Sequence, residues 1–392
     1  MHILMISDVY FPRINGVSTS IRTFITELNE QGHRVTLIAP NYHEKETVFE
    51  RTPLGDVIRI ASRHVPFDKE DRFMQFSQIT QIIEQLKLKE IDLIHIQTPF
   101  IAHYAGVNLS KHLQIPCVST YHTLFEEYLY HYIPILPKSF WRFFARRFSS
   151  HQCNQVNAVI APSSCITQLL KNYGVQTDIT VIPTGVDIKK YARTGKTTFR
   201  KDFNIPENKK ICLNVSRIAF EKNIGFLLNV IQSVKKSCPE ILLIIAGEGP
   251  AKKHYIHQVE KMDLQDNILF TGYLDHDTDQ INVYHFSDVF LFSSKTETQG
   301  LVLLEAMACS LPIVTIAEMG TLDILKDSEA ALISPEDVEY FSQPVLDLLN
   351  DPKQHAHLKL AAKSHALQWD TQQLTKKMSV FYNECLSKYH VK

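Results

Sequence analysis

Val289-Phe290-Leu291-Phe292-Ser293-Ser294-Lys295-Thr296-Glu297-Thr298-Gln299-Gly300-Leu301-Val302-Leu303-Leu304-Glu305-Ala306-Met307-Ala308 contains a strand, a loop and the start of a helix. Four consecutive apolar residues suit a strand buried on both faces. The polar run after them reads as loop, and Gly300 permits a tight turn and the close approach of a ligand. From Leu301 the segment is strongly helical. A strand followed by a loop and a helix is half of a βαβ unit, whose strands run parallel.

The same pattern extends outward in both directions. Strand candidates in the second half are 211–216, 241–246, 267–271, 287–293, 312–316 and 330–333. Those in the first half are 3–7, 35–39, 57–60, 92–97, 115–120, 157–161 and 179–183, with helical patterns such as 17–31 and 163–173 between several of them. This alternation predicts an α/β fold of two doubly wound, Rossmann-like domains. The 392 residues suit two such cores. The stretch 183–206 is polar, carries turn residues and lacks a clear period, so the linker is expected there. The expected domains are 1–187 and 188–370, followed by a helix within 371–392 that returns to the N-terminal domain. Ligands are expected in a central cleft, at the carboxyl ends of the strands.

Composition narrows the function. A net charge of −1, from 41 basic and 42 acidic residues, provides no bulk field for nucleic acid. The seven cysteines form no C-x-x-C pair and fit a reducing compartment. Met1 through Asp8 reads as a first strand and not as a signal peptide, and no apolar run approaches ~20 residues. The expected location is cytoplasmic, free or peripheral on the inner face of a membrane.

Three loops concentrate unusual residues. In the opening stretch, the N–H groups of the helix after Gly300 make a natural phosphate site through Gly300 and Leu301. Glu305 would suit a ribose diol and Glu297 the hydroxyls of a sugar, although either glutamate alone reads equally as a solvated charge. In Asn214-Val215-Ser216-Arg217-Ile218-Ala219-Phe220-Glu221-Lys222-Asn223 a strand ends and two cations follow. Arg217 offers a planar fork and Lys222 a point charge, which together can hold a diphosphate; alone, each reads as a surface cation. The third loop, Tyr10 through Ser20, places Gly16 where backbone can approach an anion. It has no G-x-G-x-x-G, which counts against a nicotinamide-dependent oxidoreductase.

In order and spacing these elements resemble the retaining glycosyltransferases of family 4, which have the GT-B fold. The resemblance rests on Glu297-x7-Glu305, Ser216-Arg217 with Lys222, Asn15-Gly16-Val17, Tyr121-His122-Thr123 and Gly247-Glu248-Gly249-Pro250. It implies phosphate contacts from Gly16, Arg217 and Lys222, sugar contacts from His122 and Glu297, and a ribose contact from Glu305. Three positions depart from the pattern: Asn15 and Ser310 stand where glycine is common, and Gln299 where an aromatic is common. The resemblance also implies a UDP- or GDP-linked hexose donor and retention of anomeric configuration. Asp277-Thr278-Asp279 looks like a metal-binding D-x-D but reads better as a helix entry, and no metal cofactor is expected.

The acceptor is read from another region. Ser139-Phe140-Trp141-Arg142-Phe143-Phe144-Ala145-Arg146-Arg147-Phe148 mixes aromatics with arginines. It has two readings, a helix resting on an anionic membrane over 138–148 or one packed on its own domain. The preceding Tyr- and His-rich loop, 122–137, resembles that of bacterial enzymes acting on diacylglycerol or phosphatidylinositol. The expected acceptor is therefore a lipid, with a soluble or lipid-linked saccharide as the rival.

Overall fold

A computed structural model describes the chain except residues 44–45, 66–67, 125–137, 194–197, 276, 327 and 391–392. Two compact units emerge, Met1–Gly185 together with Thr371–Lys392, and Val186–Asp370.

The first unit begins with β1 (His2–Ile6), β2 (Arg34–Pro40), β3 (Val48–Thr52), β4 (Gly55–Ile60), β5 (Ser62–Val65) and β6 (Asp68–Met74). It continues with β7 (Leu93–Ile96), β8 (Cys117–Thr120), β9 (Ala158–Ala161) and β10 (Ile179–Val181). Its main sheet has the order β10-β9-β8-β7-β1-β2-β4-β3, and only β3 runs antiparallel to its neighbour. The chain winds outward from β1 to one side, then returns to place β7 on the other, so the switch point lies between β1 and β7.

The edge strand β3 and the hairpin β5–β6 are not among the sequence-predicted strands. The residues of β3 are half-buried or exposed, and the sequence Asp68-Lys69-Glu70-Asp71-Arg72 contains no apolar residue and so no alternation to read as a strand. The terminal helix Thr371–His390 belongs to this unit and contributes Met378, Phe381 and Tyr382 to its core. Thr371 Oγ1 donates to Glu27 at 3.0 Å, and Ser379 Oγ to Gln31 at 2.7 Å.

The second unit contains β11 (Lys210–Val215), β12 (Ile241–Ala246), β13 (Ile268–Gly272), β14 (Val289–Phe292), β15 (Ile313–Thr315) and β16 (Ala331–Ile333). Each corresponds to a sequence-predicted strand. The sheet is parallel throughout, in the order β13-β12-β11-β14-β15-β16. Alternate residues feed two cores: Leu213, Phe290 and Phe292 pack against helix Leu301–Ala308. Cys212, Val289 and Leu291 pack toward helices Ile224–Val234 and Val338–Asn350. Both faces are covered, which is why the strands read as continuous apolar runs.

The stretch expected to be a linker is partly core. Two short helices, Ile188–Tyr191 and Phe199–Asp202, form within it. Tyr191, Phe199 and Ile205 are buried in the second unit. Three apolar anchors at irregular spacing leave no period to detect. Among the described residues no helix is long and apolar enough to cross a membrane.

Candidate functional site

In the second unit the switch point lies between β11 and β14, and the two loops that leave it carry the candidate residues. Polar side chains stitch these loops together. Asn214 Nδ2 donates to the Leu291 carbonyl at 2.8 Å, and Ser216 Oγ bonds Asn214 Oδ1 at 2.8 Å. Ser293, the first residue after β14, reaches the carbonyls of Lys222 and Asn223 at 3.2 and 3.1 Å. This brings Lys222 Nζ to 2.6 Å from Glu297 Oε1. Burial alone would raise the Glu297 carboxyl, but the Lys222 ammonium outweighs it and holds the group below its usual range.

Arg217 is half-buried on a segment supported from below. The Ile218 N–H donates to the Glu248 carbonyl at 2.8 Å, and the Ala251 N–H to the Ile218 carbonyl at 3.0 Å. A Cβ at Gly247 would lie 2.0 Å from the Ser216 carbonyl oxygen, in a backbone with φ of +144°. The Gly247-Glu248-Gly249-Pro250 turn is thus the floor beneath the arginine loop, and glycine is what lets the two backbones touch. Gly300 has φ of +99° and opens helix Leu301–Ala308, whose N-terminal end leaves the same loop as Glu297. The Gly320 N–H donates to the Glu297 carbonyl at 3.0 Å and fixes that loop from its other side.

Glu305 is buried, and two protein groups donate to its Oε2: Tyr284 OH at 2.8 Å and Gln280 Nε2 at 2.9 Å. The carboxylate expected to meet a ribose is also the hub of a buried hydrogen-bond cluster. Asp277-Thr278-Asp279 is a turn into helix Asp279–Phe286. Asp275 Oδ1 accepts from the Asp277 N–H and from Thr278 Oγ1, while Lys190 pairs with Asp277 at 2.6 Å.

In the first unit Asn15 caps helix Gly16–Glu30, its Oδ1 accepting from the Ser18 N–H at 2.8 Å. The departure from glycine at this position therefore supplies a cap. A Cβ at Gly16 would meet nothing within 4 Å, so internal packing does not explain the glycine. His122 follows β8, with Nε2 2.9 Å from Oε1 of Gln97, which follows β7. Burial holds its imidazole at about 4, well below the ordinary value.

Asp8 and Gln97 are not among the residues the sequence singles out. The Asp8 carboxylate accepts from Thr98 Oγ1 at 2.8 Å and from the Ala102 N–H at 3.1 Å, capping helix Ile101–Leu113. Burial raises its carboxyl to about 6. The available signal was the one that marked His122, a polar residue just past an apolar strand. Helix Lys138–Cys153 exposes Phe143, Phe144, Arg146 and Arg147 and buries Ala145. The Tyr- and His-rich loop lies, from residue 125 onward, outside the described residues.

Comparison with known proteins gives a consistent picture. Residues 14–190 match the model "Glycosyltransferase Family 4", and residues 195–365 match "Glycosyl transferases group 1". The chain is 34% identical over 323 residues to alpha-monoglucosyldiacylglycerol synthase of Streptococcus pneumoniae, covering 80% of this chain and 70% of that protein. It is 29% identical over 324 residues to the synthase of the same name from Acholeplasma laidlawii, covering 80% of each. Sucrose-phosphate synthase of Thermosynechococcus elongatus superposes with a TM-score of 0.79 at 20% identity over 99% of both chains. HepE of Anabaena, in complex with UDP and glucose, superposes with a TM-score of 0.75 at 18% identity over 97% of this chain and 99% of its own. The last two similarities bear on the fold, which is GT-B.

Proposed function

This chain belongs to the group 1, family 4 glycosyltransferases, and we propose that it transfers glucose from a UDP-linked donor to diacylglycerol with retention at the anomeric carbon. The observation that carries the donor half is the convergence of Arg217, Lys222, Glu297 and the Gly300 helix start at one switch point. The acceptor half is supported by the 34% identity to a monoglucosyldiacylglycerol synthase. A UDP-linked donor is one of the two that the family resemblance implies, and the test below separates it from a GDP-linked one.

Arg217, Lys222 and the helix N–H groups supply positive charge for a diphosphate, so no metal is needed and activity should survive EDTA. Glu297 accepts from hydroxyls of the sugar, Glu305 from the ribose, and Gly16 admits phosphate to the first unit's helix start. No nucleophilic carboxylate is assigned: Glu297 is ion-paired and Glu305 is held by Tyr284 and Gln280. In the step proposed, the C1–O bond to the diphosphate breaks and the acceptor oxygen bonds C1 on the same face. The departing phosphate oxygen takes the acceptor proton. Orientation and charge stabilisation are the protein's work.

The acceptor reaches the enzyme at a bilayer. Phe143 and Phe144, 64% and 47% exposed, accompany Arg146 and Arg147 on helix Lys138–Cys153, a face suited to an anionic inner membrane surface.

The test is transfer from UDP-glucose or GDP-mannose to vesicles containing diacylglycerol, with the product anomer read by NMR. Thermal shifts of wild type, Arg217→Ala and Glu305→Ala with UDP-, GDP- and ADP-sugars should accompany it. An α-glucolipid from UDP-glucose, and a thermal shift that both variants lose, is the expected result. Transfer only to a saccharide acceptor overturns the lipid assignment, and a shift only with GDP-mannose overturns the donor.

A further inference from the structure

One carboxylate joins three loops at the carboxyl edge of the second sheet, those after β11, β14 and β16. Glu336 lies in Ser334-Pro335-Glu336-Asp337, between the edge strand β16 and helix Val338–Asn350. Its backbone is fixed from both sides. The Ser334 N–H donates to the Thr315 carbonyl at 2.9 Å, and Pro335 restricts φ just before the glutamate. Asp337 caps the helix, its Oδ1 accepting from the Glu339 and Tyr340 N–H groups at 2.9 and 3.1 Å.

From that footing Glu336 Oε1 accepts from Asn223 Nδ2 at 2.7 Å, and Oε2 pairs with Lys295 Nζ. The Lys295 ammonium, with the Asn223 amide, holds the carboxyl below its usual range. Asn223 opens helix Ile224–Val234 with φ of +55°, a position where an asparagine ordinarily caps the helix. Its side chain makes no such cap and is spent on Glu336.

These contacts run beside the Lys222–Glu297 pair and join the same two loops. Asn223 is the residue after Lys222, and Lys295 stands two positions before Glu297. We propose that Glu336 is a positioning residue that clamps the Lys222 and Glu297 loops from outside the donor site, through Asn223 and Lys295. This rests on the glycosyltransferase reading for what those loops hold.

The need for a second tie follows from the first. A diphosphate that engages Lys222 competes with Glu297 for it, so the inner tie loosens as the donor arrives. The outer tie spends none of the groups assigned to the donor and persists through that exchange. The Lys222 and Glu297 side chains are 20% and 18% exposed, against 37% and 39% for Lys295 and Glu336. The more exposed ion pair is weak alone, so the amide–carboxylate bond from Asn223 carries more of the clamp.

Titration calorimetry on the full chain tests this, with UDP, or with GDP if the wild type prefers it. Glu336→Ala removes both contacts and should weaken the nucleotide roughly three- to tenfold, with the melting temperature little changed. Glu336→Gln keeps an amide oxygen for Asn223, so its loss should be smaller, about twofold, and matched by Lys295→Met. The double variant Lys295→Met with Glu336→Gln should lose no more than either alone, because both remove one contact. Losses that add make Lys295 a direct ligand of the diphosphate and overturn the clamp. A loss in Glu336→Ala that merely follows melting temperature overturns it too. Hydrogen exchange without nucleotide is the independent arm. Glu336→Ala should speed exchange in 217–223 and 293–300 together, and a change confined to 334–337 sinks the proposal. If the wild type binds none of UDP, GDP and ADP, the donor reading fails and the positioning role falls with it. Wild-type binding that Glu336→Ala leaves intact overturns the role alone.

Discussion

The two units solve the same topological problem with opposite electrostatics. In the second, the loops leaving the switch point bring a cation and an anion to 2.6 Å, Lys222 on Glu297. In the first, the side chains past neighbouring strands form a neutral amide–imidazole contact at 2.9 Å, Gln97 on His122. A charged pair pre-organises a site for a partner that brings charge, and a neutral one suits hydroxyls. Fold class alone would not distinguish them, because both sheets place polar loops at the carboxyl ends of parallel strands.

The largest expected break in this comparison is on the charged side. Lys222→Ala or Arg217→Ala should cost about 10²–10³ in kcat, the scale of losing one preorganised contact to developing charge. His122→Ala should cost nearer tenfold, measured in the same transfer assay. Equal losses on both sides would remove the distinction.

Next in size is the stability of the second unit. Glu305→Ala leaves Tyr284 OH and Gln280 Nε2 buried without their acceptor, at about 2–4 kcal/mol. Calorimetry should show a drop of several degrees in the absence of any nucleotide. An unchanged melting temperature would make Glu305 purely a ligand residue.

A third test uses pH. The Asp8 carboxyl is raised from 3.8 to about 6, so between those values the folded chain binds more protons than the unfolded one and stability falls as pH rises. Glu297 is lowered from 4.5, so its contribution is complete above 4.5 and is lost as pH falls through its folded value. Asp8→Asn should therefore flatten stability between pH 4 and 6, and Glu297→Gln should flatten it below 4.5, as read by denaturant titration.

The smallest effect sharpens the comparison most. Glu297→Gln frees Lys222 from its partner, so UDP without sugar should bind roughly three- to tenfold tighter while transfer slows. Titration calorimetry giving weaker UDP binding would show that the pair helps to build the phosphate site.

The second sheet was legible in the sequence because strands buried on both faces leave unmistakable apolar runs, as Val289–Phe292 and Ile241–Ala246 do. The first unit's β3, β5 and β6 were not, since a half-exposed edge strand or hairpin is defined by its neighbours. Lys222 and Glu297, separated by 75 positions, were recognised as members of a pattern, but their direct bond needed coordinates. Gln97 and Asp8 bond other side chains, and a polar residue after a strand is too common to mark such a contact.

The membership of helix Thr371–His390 has a consequence in time. Synthesis delivers Val186–Asp370 in full before the first unit receives Met378, Phe381 and Tyr382. The second unit's two ends already touch through the bridge between Val186 and Asp370. That unit can close on the ribosome as an uninterrupted piece, whereas the first waits with an open seam along helix Gly16–Glu30 and with His95 lacking Tyr382. A segment made after the whole second unit is the one that seals strands made before it.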